Sequence, residues 1–483
     1  MNVTDPFLAW LARTPRAAAI VEAGGTTSYR DLGDMVERLA GWFRSAGWGR
    51  GTTIGVSLAG PAAIQIAVML ALARGGALQL PLGAREPPRS HDSAIRRFAV
   101  QAIVADHRSV PSGIPIAHLE TILRTTAPMA RRESTDPPDG AAPWTIVLSS
   151  GTTGAAKAVR ISHAMELARS AQQPDFIRPG PGDRVLCLLP IDTRGGRSVA
   201  LRCLSQGASF LAPSGGADAS EAIRLLAQAD ATFLIATPSQ LAGLAAMRPE
   251  GAGVFGRLKV LRTNSGRMPP ALLERIRTAI TGNVFVDYGT NDAGTLSIAT
   301  PSDLARHPDT VGRPVADLTL EIVDGAGRVL GPSGRGEIRV RGPGVADGYI
   351  DDPQATDRAF RDGWFYPGDI GERDAEGLLY VRGRVDALIN FGGTKVSPQE
   401  IEAAALTHPA VAEAAAFAVP SSRFEGIPAV AVVLNRSVSA RSIRAHCEDR
   451  LGSRAPRHVL VVDALPRDAL GKISTRRLLD LLE

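Results

Sequence analysis

The chain has 483 residues, 44% hydrophobic and 21% charged, which is too long for one core and ordinary for a globular protein of two or three domains. Its net charge of +5 is small for that length and its basic residues are scattered, so nucleic acid is a poor partner and no disordered or fibrous class fits. Cys187, Cys203 and Cys447 are odd in number, far apart and without partners at metal-ligand spacing, so they read as small reduced core residues.

The opening MNVTDPFLAWLARTPR lacks a basic start followed by an apolar run. The most apolar later window, 64–73, is too short to span a membrane and carries Gln65, so a cytoplasmic protein with no membrane span is expected. Helical spacing begins at Phe7 and recurs over 26–47, where Gly47 closes it. A strand over 53–60, a mostly apolar helix over 64–77 stopped by Gly75 and Gly76, and a short buried strand over 99–106 follow. This alternation predicts α/β structure with parallel sheets and helical crossovers. The polar, proline-rich stretch 131–143 reads as an exposed connection.

Trp144 to Leu148 then reads as a short buried strand that runs into SSGTTGAAK. Gly151 and Gly154 let backbone N–H groups turn inward, Ser149, Ser150, Thr152 and Thr153 add hydroxyl donors, and Lys157 adds a full charge. The loop over 149–157 suits phosphate, and a flexible connector of the same composition is the competing reading. It is not a Walker A loop, because Ala156 and Ala158 stand where that motif needs Gly and Ser or Thr.

Strands are predicted over 183–191, 208–213, 231–238 and 258–266, continuing the α/β pattern. From Val311 to Val381 short β segments broken by Gly, Pro and Asp suggest a small barrel or twisted sheet. The remainder reads as a small α+β domain, with helices over 398–406 and 440–451 and strands over 412–420, 429–435 and 458–463. Only four of the 54 basic residues are lysines, Lys157, Lys259, Lys395 and Lys472. Where Arg serves nearly everywhere else, a retained Lys points to a need for a compact, flexible point charge.

Five stretches taken together carry a resemblance: SSGTTGAAK, VDYGTND (286–292), FYPGDIGERDAEGLLYVRGRVD (365–386), INFGGTKVSPQEIE (389–402) and LPRDALGKISTRRLL (465–479). In this order and spacing, over nearly the whole chain, they resemble the adenylate-forming superfamily of acyl- and aryl-CoA synthetases, peptide-synthetase adenylation domains and luciferases. The resemblance implies a large N-terminal domain over 1–385, made of helix-flanked sheets plus a small β-barrel over about 311–384. A small mobile C-terminal α+β domain over 386–483 is implied to swing about Asp386.

The resemblance also implies an activity, ATP-dependent conversion of a small-molecule carboxylic acid to an acyl adenylate and its transfer to the thiol of coenzyme A, with Mg²⁺ as metal. A free-standing carrier protein bearing phosphopantetheine is the alternative acceptor, since no carrier domain follows Glu483 in this sequence. A nucleotide-binding protein that has lost turnover is a third reading, disfavoured by the presence of Lys472, Lys157 and Asp369.

By resemblance, Lys472 is the catalytic lysine, Gly266 lies in a loop against adenine, and Tyr288 stacks on that base. Asn291 and Asp292 replace the Thr-Glu of the family's YGxTE motif; Asn291 still donates a hydrogen bond, and Asp292 keeps a carboxylate for Mg²⁺ on a stem one methylene shorter. Asp369, in PGD rather than TGD, and Arg384 take the two ribose hydroxyls. Gly392 and Gly393 let backbone approach a pantetheine arm. The acyl pocket of the family includes the region after LLP, which here reads IDTRGGRS (191–198) and departs from the family pattern, with Asp192 or Thr193 nearest the usual place. Asp192, Arg194 and Arg197 are candidates for a polar substrate group, and solvated loop charges are the alternative.

Overall fold

The computed structural model describes residues 1–84, 91–107, 113–125, 139–149, 157–213, 219–248, 253–264, 266, 268–391, 394–421, 426–467 and 473–482, with the side chains of 149, 390, 394 and 395 outside that description. Two compact units divide the chain, one of Met1–Thr319 and Arg341–Phe365, the other of Leu320–Val340 and Tyr366–Glu483.

The first unit holds two large sheets. One has six strands in the order Ile116–His118, Ala102–Ala105, Thr53–Ser57, Leu78–Pro81, Pro143–Ser149 and Lys157–Ser162. Its neighbours run parallel except the last pair, which is antiparallel and sets Ser149 opposite Lys157. The other sheet has nine strands, and its six central ones, from Val284–Thr290 through Val260–Thr263, Phe233–Ala236, Arg184–Cys187 and Ser209–Leu211 to Ala18–Glu22, are parallel. Strands covered on both faces need unbroken apolar runs, and Phe233–Ala236 and Ala102–Ala105 are buried at every position.

Helix boundaries follow from caps. The helix expected over 26–47 spans Tyr29–Ser45, because Gly25–Ser28 pairs as a strand with Ala18–Glu22. Ser28 then caps it: the Asp31 N–H donates to Ser28 Oγ at 3.1 Å and the Ser28 N–H donates to Asp31 at 3.2 Å. The apolar helix Ala62–Gly75 ends on Gly76, whose φ of 79° suits glycine. The stretch after LLP is corrected more strongly, since Arg194–Ser205 is a helix rather than a charged loop. Thr193 caps it by accepting from the Gly196 N–H at 3.2 Å. A Cβ on Gly196 would stand 2.1 Å from the Pro190 carbonyl oxygen, so glycine is what lets this helix start against the preceding turn.

In the second unit Arg335–Arg341, Asp369–Arg373 and Leu379–Arg384 form an antiparallel ladder, with Thr319–Val323 paired to the first. Among the described residues no strand pair closes this sheet, so the expected barrel is an open sheet. Farther on, Val411–Val419 pairs antiparallel with Ile427–Leu434, which pairs parallel with His458–Val461. Alternation along the central strand divides the core: Val430 and Val432 pack with Ile401, Ile443 and Cys447, while Ala429 and Ala431 pack with Phe417, Leu465 and Leu478. The three cysteines are free and buried. No helix among the described residues is long and apolar enough to cross a membrane.

Candidate functional site

In the first unit the site grows from two strand ends. Pro143–Ser149 carries the chain to the loop expected to take phosphate, and Lys157 opens the returning strand opposite Ser149. Ser150, Gly151, Thr152 and Thr153 lie outside the described residues. Lys157 is half-buried, and its ammonium stands 5.1 Å from the centroid of the Tyr349 ring. The hydroxyl of Tyr349 in turn hydrogen-bonds the carboxylate of Asp292. A single tyrosine thus links the lysine at the end of the phosphate loop to the carboxylate expected at the metal.

Asp292 sits in the turn between Val284–Thr290 and Gly294–Ala299, an antiparallel pair with an irregularity between Tyr288 and Gly289. Only glycine fits at 289, where a Cβ would meet the Gly294 carbonyl oxygen at 2.3 Å. Asn291 donates through Nδ2 to the Leu148 carbonyl at 3.2 Å, which fastens this turn to the strand feeding the phosphate loop. The Asp292 carbonyl accepts from Arg169 Nη2 at 2.7 Å and from the Ala346 N–H at 2.8 Å.

The Asp292 side chain is 8% exposed. Burial pushes its carboxyl above the ordinary carboxylate range, opposed by its own backbone N–H, by Arg169 and Arg194, and by Tyr349. A buried carboxylate whose charge is only partly compensated suits a divalent cation. One hard oxygen donor is also the contribution Mg²⁺ takes from a protein when substrate phosphates and water complete its shell.

Tyr288 is half-buried beside this turn, and Gly266 is exposed, 3.5 Å from Pro238 by the Cβ it lacks. Asp192 is half-buried. Thr193 spends its hydroxyl on the Pro190 carbonyl, at 2.6 Å, and on the helix cap.

The next turns of that helix reach a cavity of about 40 Å³, whose lining includes Arg194, Ser198 and Arg202. Arg169, Arg262, Asn264 and Asp287 close its other sides. Arg197 is corrected from solvated to buried: it is 4% exposed, donates to Gln79 Oε1 at 2.6 Å and lies 5.0 Å from the Trp144 ring centroid. Arg262 and Asp287 form a buried ion pair, with Nε to Oδ2 at 3.1 Å.

In the second unit, the ladder sets Asp369 directly opposite Arg384. Arg384 Nη1 donates to Asp369 Oδ1 at 3.2 Å, while its Nε and Nη2 fork onto Asp386 at 2.7 and 2.9 Å. Asp369 is buried, and Gly368 before it has a φ of 79°. The expected ribose pair and the expected pivot are therefore one connected charge cluster. Gly392, Gly393 and Lys472 lie outside the described residues. Among the described residues no group of three or more His, Cys, Asp or Glu side chains is arranged to hold a metal.

Sequence reasoning misses Tyr349, Arg169 and Glu166. The only signal for the latter two is the 163, 166, 169 spacing, which puts His163, Glu166 and Arg169 on one buried face of the helix His163–Ala171.

The family model described as AMP-binding enzyme matches residues 7–350, and that of the AMP-binding enzyme C-terminal domain matches 400–472. The 3-hydroxybenzoate–CoA ligase of Aromatoleum sp. (strain CIB) is 31% identical over 524 residues, 100% of this chain and 97% of the relative. The oxalate–CoA ligase of Arabidopsis thaliana is 32% identical over 351 residues, 70% of this chain and 67% of the relative. Of solved structures, ATP-bound MatB from Rhodopseudomonas palustris has a similar fold, with a TM-score of 0.88 at 24% identity over 100% of this chain and 99% of that one. The chain belongs to the AMP-binding enzymes, the adenylate-forming superfamily.

Proposed function

We propose that this enzyme, an AMP-forming acid:CoA ligase that uses ATP, Mg²⁺ and coenzyme A, performs both half-reactions with the residues its sequence singles out. The observation that carries the reading is the Lys157, Tyr349 and Asp292 cluster, in a chain whose relative over its full length is a CoA ligase. A substrate carboxylate oxygen attacks the α-phosphorus of ATP, the bond to the bridging oxygen breaks, and pyrophosphate leaves with the electron pair. The thiolate of coenzyme A then attacks the acyl carbon and AMP leaves.

Negative charge meets negative charge in the first step, so cations must be in place before it. Lys472 bridges the substrate carboxylate and the α-phosphate oxygens, and the loop from Ser149 through Ser150, Gly151, Thr152 and Thr153 to Lys157 holds the departing phosphates. Asp292 holds Mg²⁺, whose chemistry when bound is to neutralise phosphate charge. Tyr349 orients the Asp292 carboxylate by donating to it, a hydrogen bond that favours the ionised form against burial. Tyr288 stacks on adenine beside Gly266, Asn291 donates to the α-phosphate, and Asp369 with Arg384 takes the ribose hydroxyls. For the second step, residues 386–483 turn about Asp386 relative to 1–385, which withdraws Lys472 and presents Gly392 and Gly393 to the pantetheine arm. Asp192 and Thr193 stand at the entrance to the acyl pocket.

The test is acid-dependent ATP–pyrophosphate exchange with Mg²⁺ over aliphatic, aromatic, dicarboxylic and amino acids, repeated with free CoA. Exchange followed by an acyl-CoA thioester is the expected result. Exchange without thioester until a phosphopantetheinylated carrier protein is added would overturn the choice of CoA as acceptor. ATP binding without exchange on any acid would overturn turnover itself.

A further inference from the structure

The cavity beside Asp287 and Asp292 has an unusual balance of charge. Arg169, Arg194, Arg202 and Arg262 all line its wall. Arg262 is matched by Asp287, its buried ion-pair partner. The other three guanidinium groups face Glu166, which is 3% exposed and hydrogen-bonded to Ser198. Arg169 and Arg194 also face the buried carboxylate of Asp292, so three cations meet two anions, and in a site largely withdrawn from water one positive charge is left over.

Hydrogen bonding tells the same story. Arg169 is 2% exposed, and its stem lies in a slot between Gly294 and Gly344, where a Cβ would come within 3.1 and 2.8 Å of it. Its Nε donates to the Gly344 carbonyl at 2.7 Å and its Nη2 to the Asp292 carbonyl, which fixes the plane of the guanidinium. Nη1 is then buried with no hydrogen-bond partner among the described residues, and the same holds for Nε of Arg194. The carboxylate oxygens Glu166 Oε1 and Asp287 Oδ1 are likewise buried without a partner among the described residues, so the place is polar and incompletely satisfied, and its open guanidinium donors can take a further acceptor. Burial, followed by repulsion from Arg194, holds the Arg169 guanidinium down to about 9; burial, followed by repulsion from Arg262, holds Arg202 down to about 10.

The size sets the class of ligand. About 40 Å³ is room for roughly three waters, or for one small planar or tetrahedral oxyanion, and not for an aromatic ring. Because Arg169 also holds the backbone of the Asp292 turn, the cavity is tied to the place where the acid is activated.

Resting on the ligase reading above, we propose that this arginine cavity receives a second oxyanion of the acid substrate, so that the enzyme selects short acids bearing a carboxylate or sulfonate besides the carboxylate that is adenylated. Forked guanidinium groups are suited to bidentate recognition of either group.

The experiment measures exchange kinetics with malonate, succinate and sulfoacetate against acetate, butyrate and succinamate, in the wild type and in Arg194→Gln and Arg194→Lys. The expected wild-type preference in kcat/KM is on the order of 10²-fold or more for the doubly anionic acids, the scale of leaving a buried polar group unpaired. Arg194→Gln is expected to lose at least ~10-fold of that preference, mainly through KM, and Arg194→Lys to restore part of it, with both variants melting near the wild type. Exchange with monoanionic acids only, or a preference unchanged in Arg194→Gln, overturns the cavity's role and leaves the ligase intact. Silence with these six acids alongside exchange with another acid of the wider panel also overturns the cavity's role, whereas silence over that whole panel overturns the ligase reading instead. In that case calorimetric binding of succinate still decides the cavity: binding weakened by Arg194→Gln supports it, and no binding sinks it.

Discussion

His163 offers a pH test of the core that underlies the site. It begins the helix His163–Ala171, the helix that also carries Glu166 and Arg169, and it is fully buried. Its Nδ1 accepts from the Val3 N–H at 3.3 Å, which places the ring proton on Nε2, where it has no partner among the described residues. Protonation would turn Nδ1 into a donor facing another donor. Burial, helped by the nearby amino terminus, lowers the pKa from 6.5 to about 4. Between those two values the unfolded chain binds a proton that the folded chain refuses, so stability falls as pH falls.

The linkage amounts to about 2 kcal/mol between pH 7 and pH 5. All five tryptophans, Trp10, Trp42, Trp48, Trp144 and Trp364, lie in the first unit, so tryptophan fluorescence during urea unfolding reports on the unit that holds His163. His163→Asn keeps an acceptor for Val3 and removes the titration. The variant should therefore lose about 2 kcal/mol less than the wild type on going from pH 7 to pH 5, whatever its stability at pH 7. Equal pH dependence in the two proteins would refute the neutral, buried histidine.

Two further outcomes test the proposed roles at the reaction. Lys472→Ala should reduce ATP–pyrophosphate exchange by ~10²-fold or more, as expected for a donor aimed at charge that develops in the transition state, and unchanged exchange would remove Lys472 from the mechanism. Asp369→Ala should weaken ATP binding by roughly 1.5 to 3 kcal/mol, about 10- to 150-fold, measured by titration calorimetry. Arg384 keeps its fork on Asp386 in that variant, so loss of affinity with an unchanged melting temperature is the expected pattern, and unaltered affinity refutes the ribose assignment.

Much of the fold is legible because buried parallel strands must be written as short apolar runs. FLIA at Phe233–Ala236 and AIVA at Ala102–Ala105 leave little choice. The helices Pro398–Leu406 and Ala440–Leu451 also fall on the expected residues. What escapes is anything decided by tertiary burial. Glu166 and Arg169, three apart on a helix, look like a surface pair until packing turns that face inward. The IDTRGGRS stretch reads as a loop because two glycines disfavour helix, and only the close approach of Pro190 shows why glycine is required there. Tyr349 is invisible because the two groups it links, Lys157 and Asp292, are distant from it in sequence.

The scarcity of lysine acquires a physical meaning at this site. Arg169 has to bond two carbonyls, those of Gly344 and Asp292, from one rigid plane, and still offer Nη1 toward the cavity. An ammonium on a flexible stem cannot hold that geometry, so the position requires a fork. Lys157 has a different task, lying over the Tyr349 ring at the end of a loop suited to phosphate, where a point charge able to swing serves better. Asp292 lies between these two demands, its carbonyl fixed by the arginine and its carboxylate linked through Tyr349 to the lysine. The turn is thereby held at its backbone while its acid group is held separately, through Tyr349. In the metal-holding role proposed for Asp292, that backbone, fastened at Leu148, Arg169 and Ala346, determines where the shorter side chain starts.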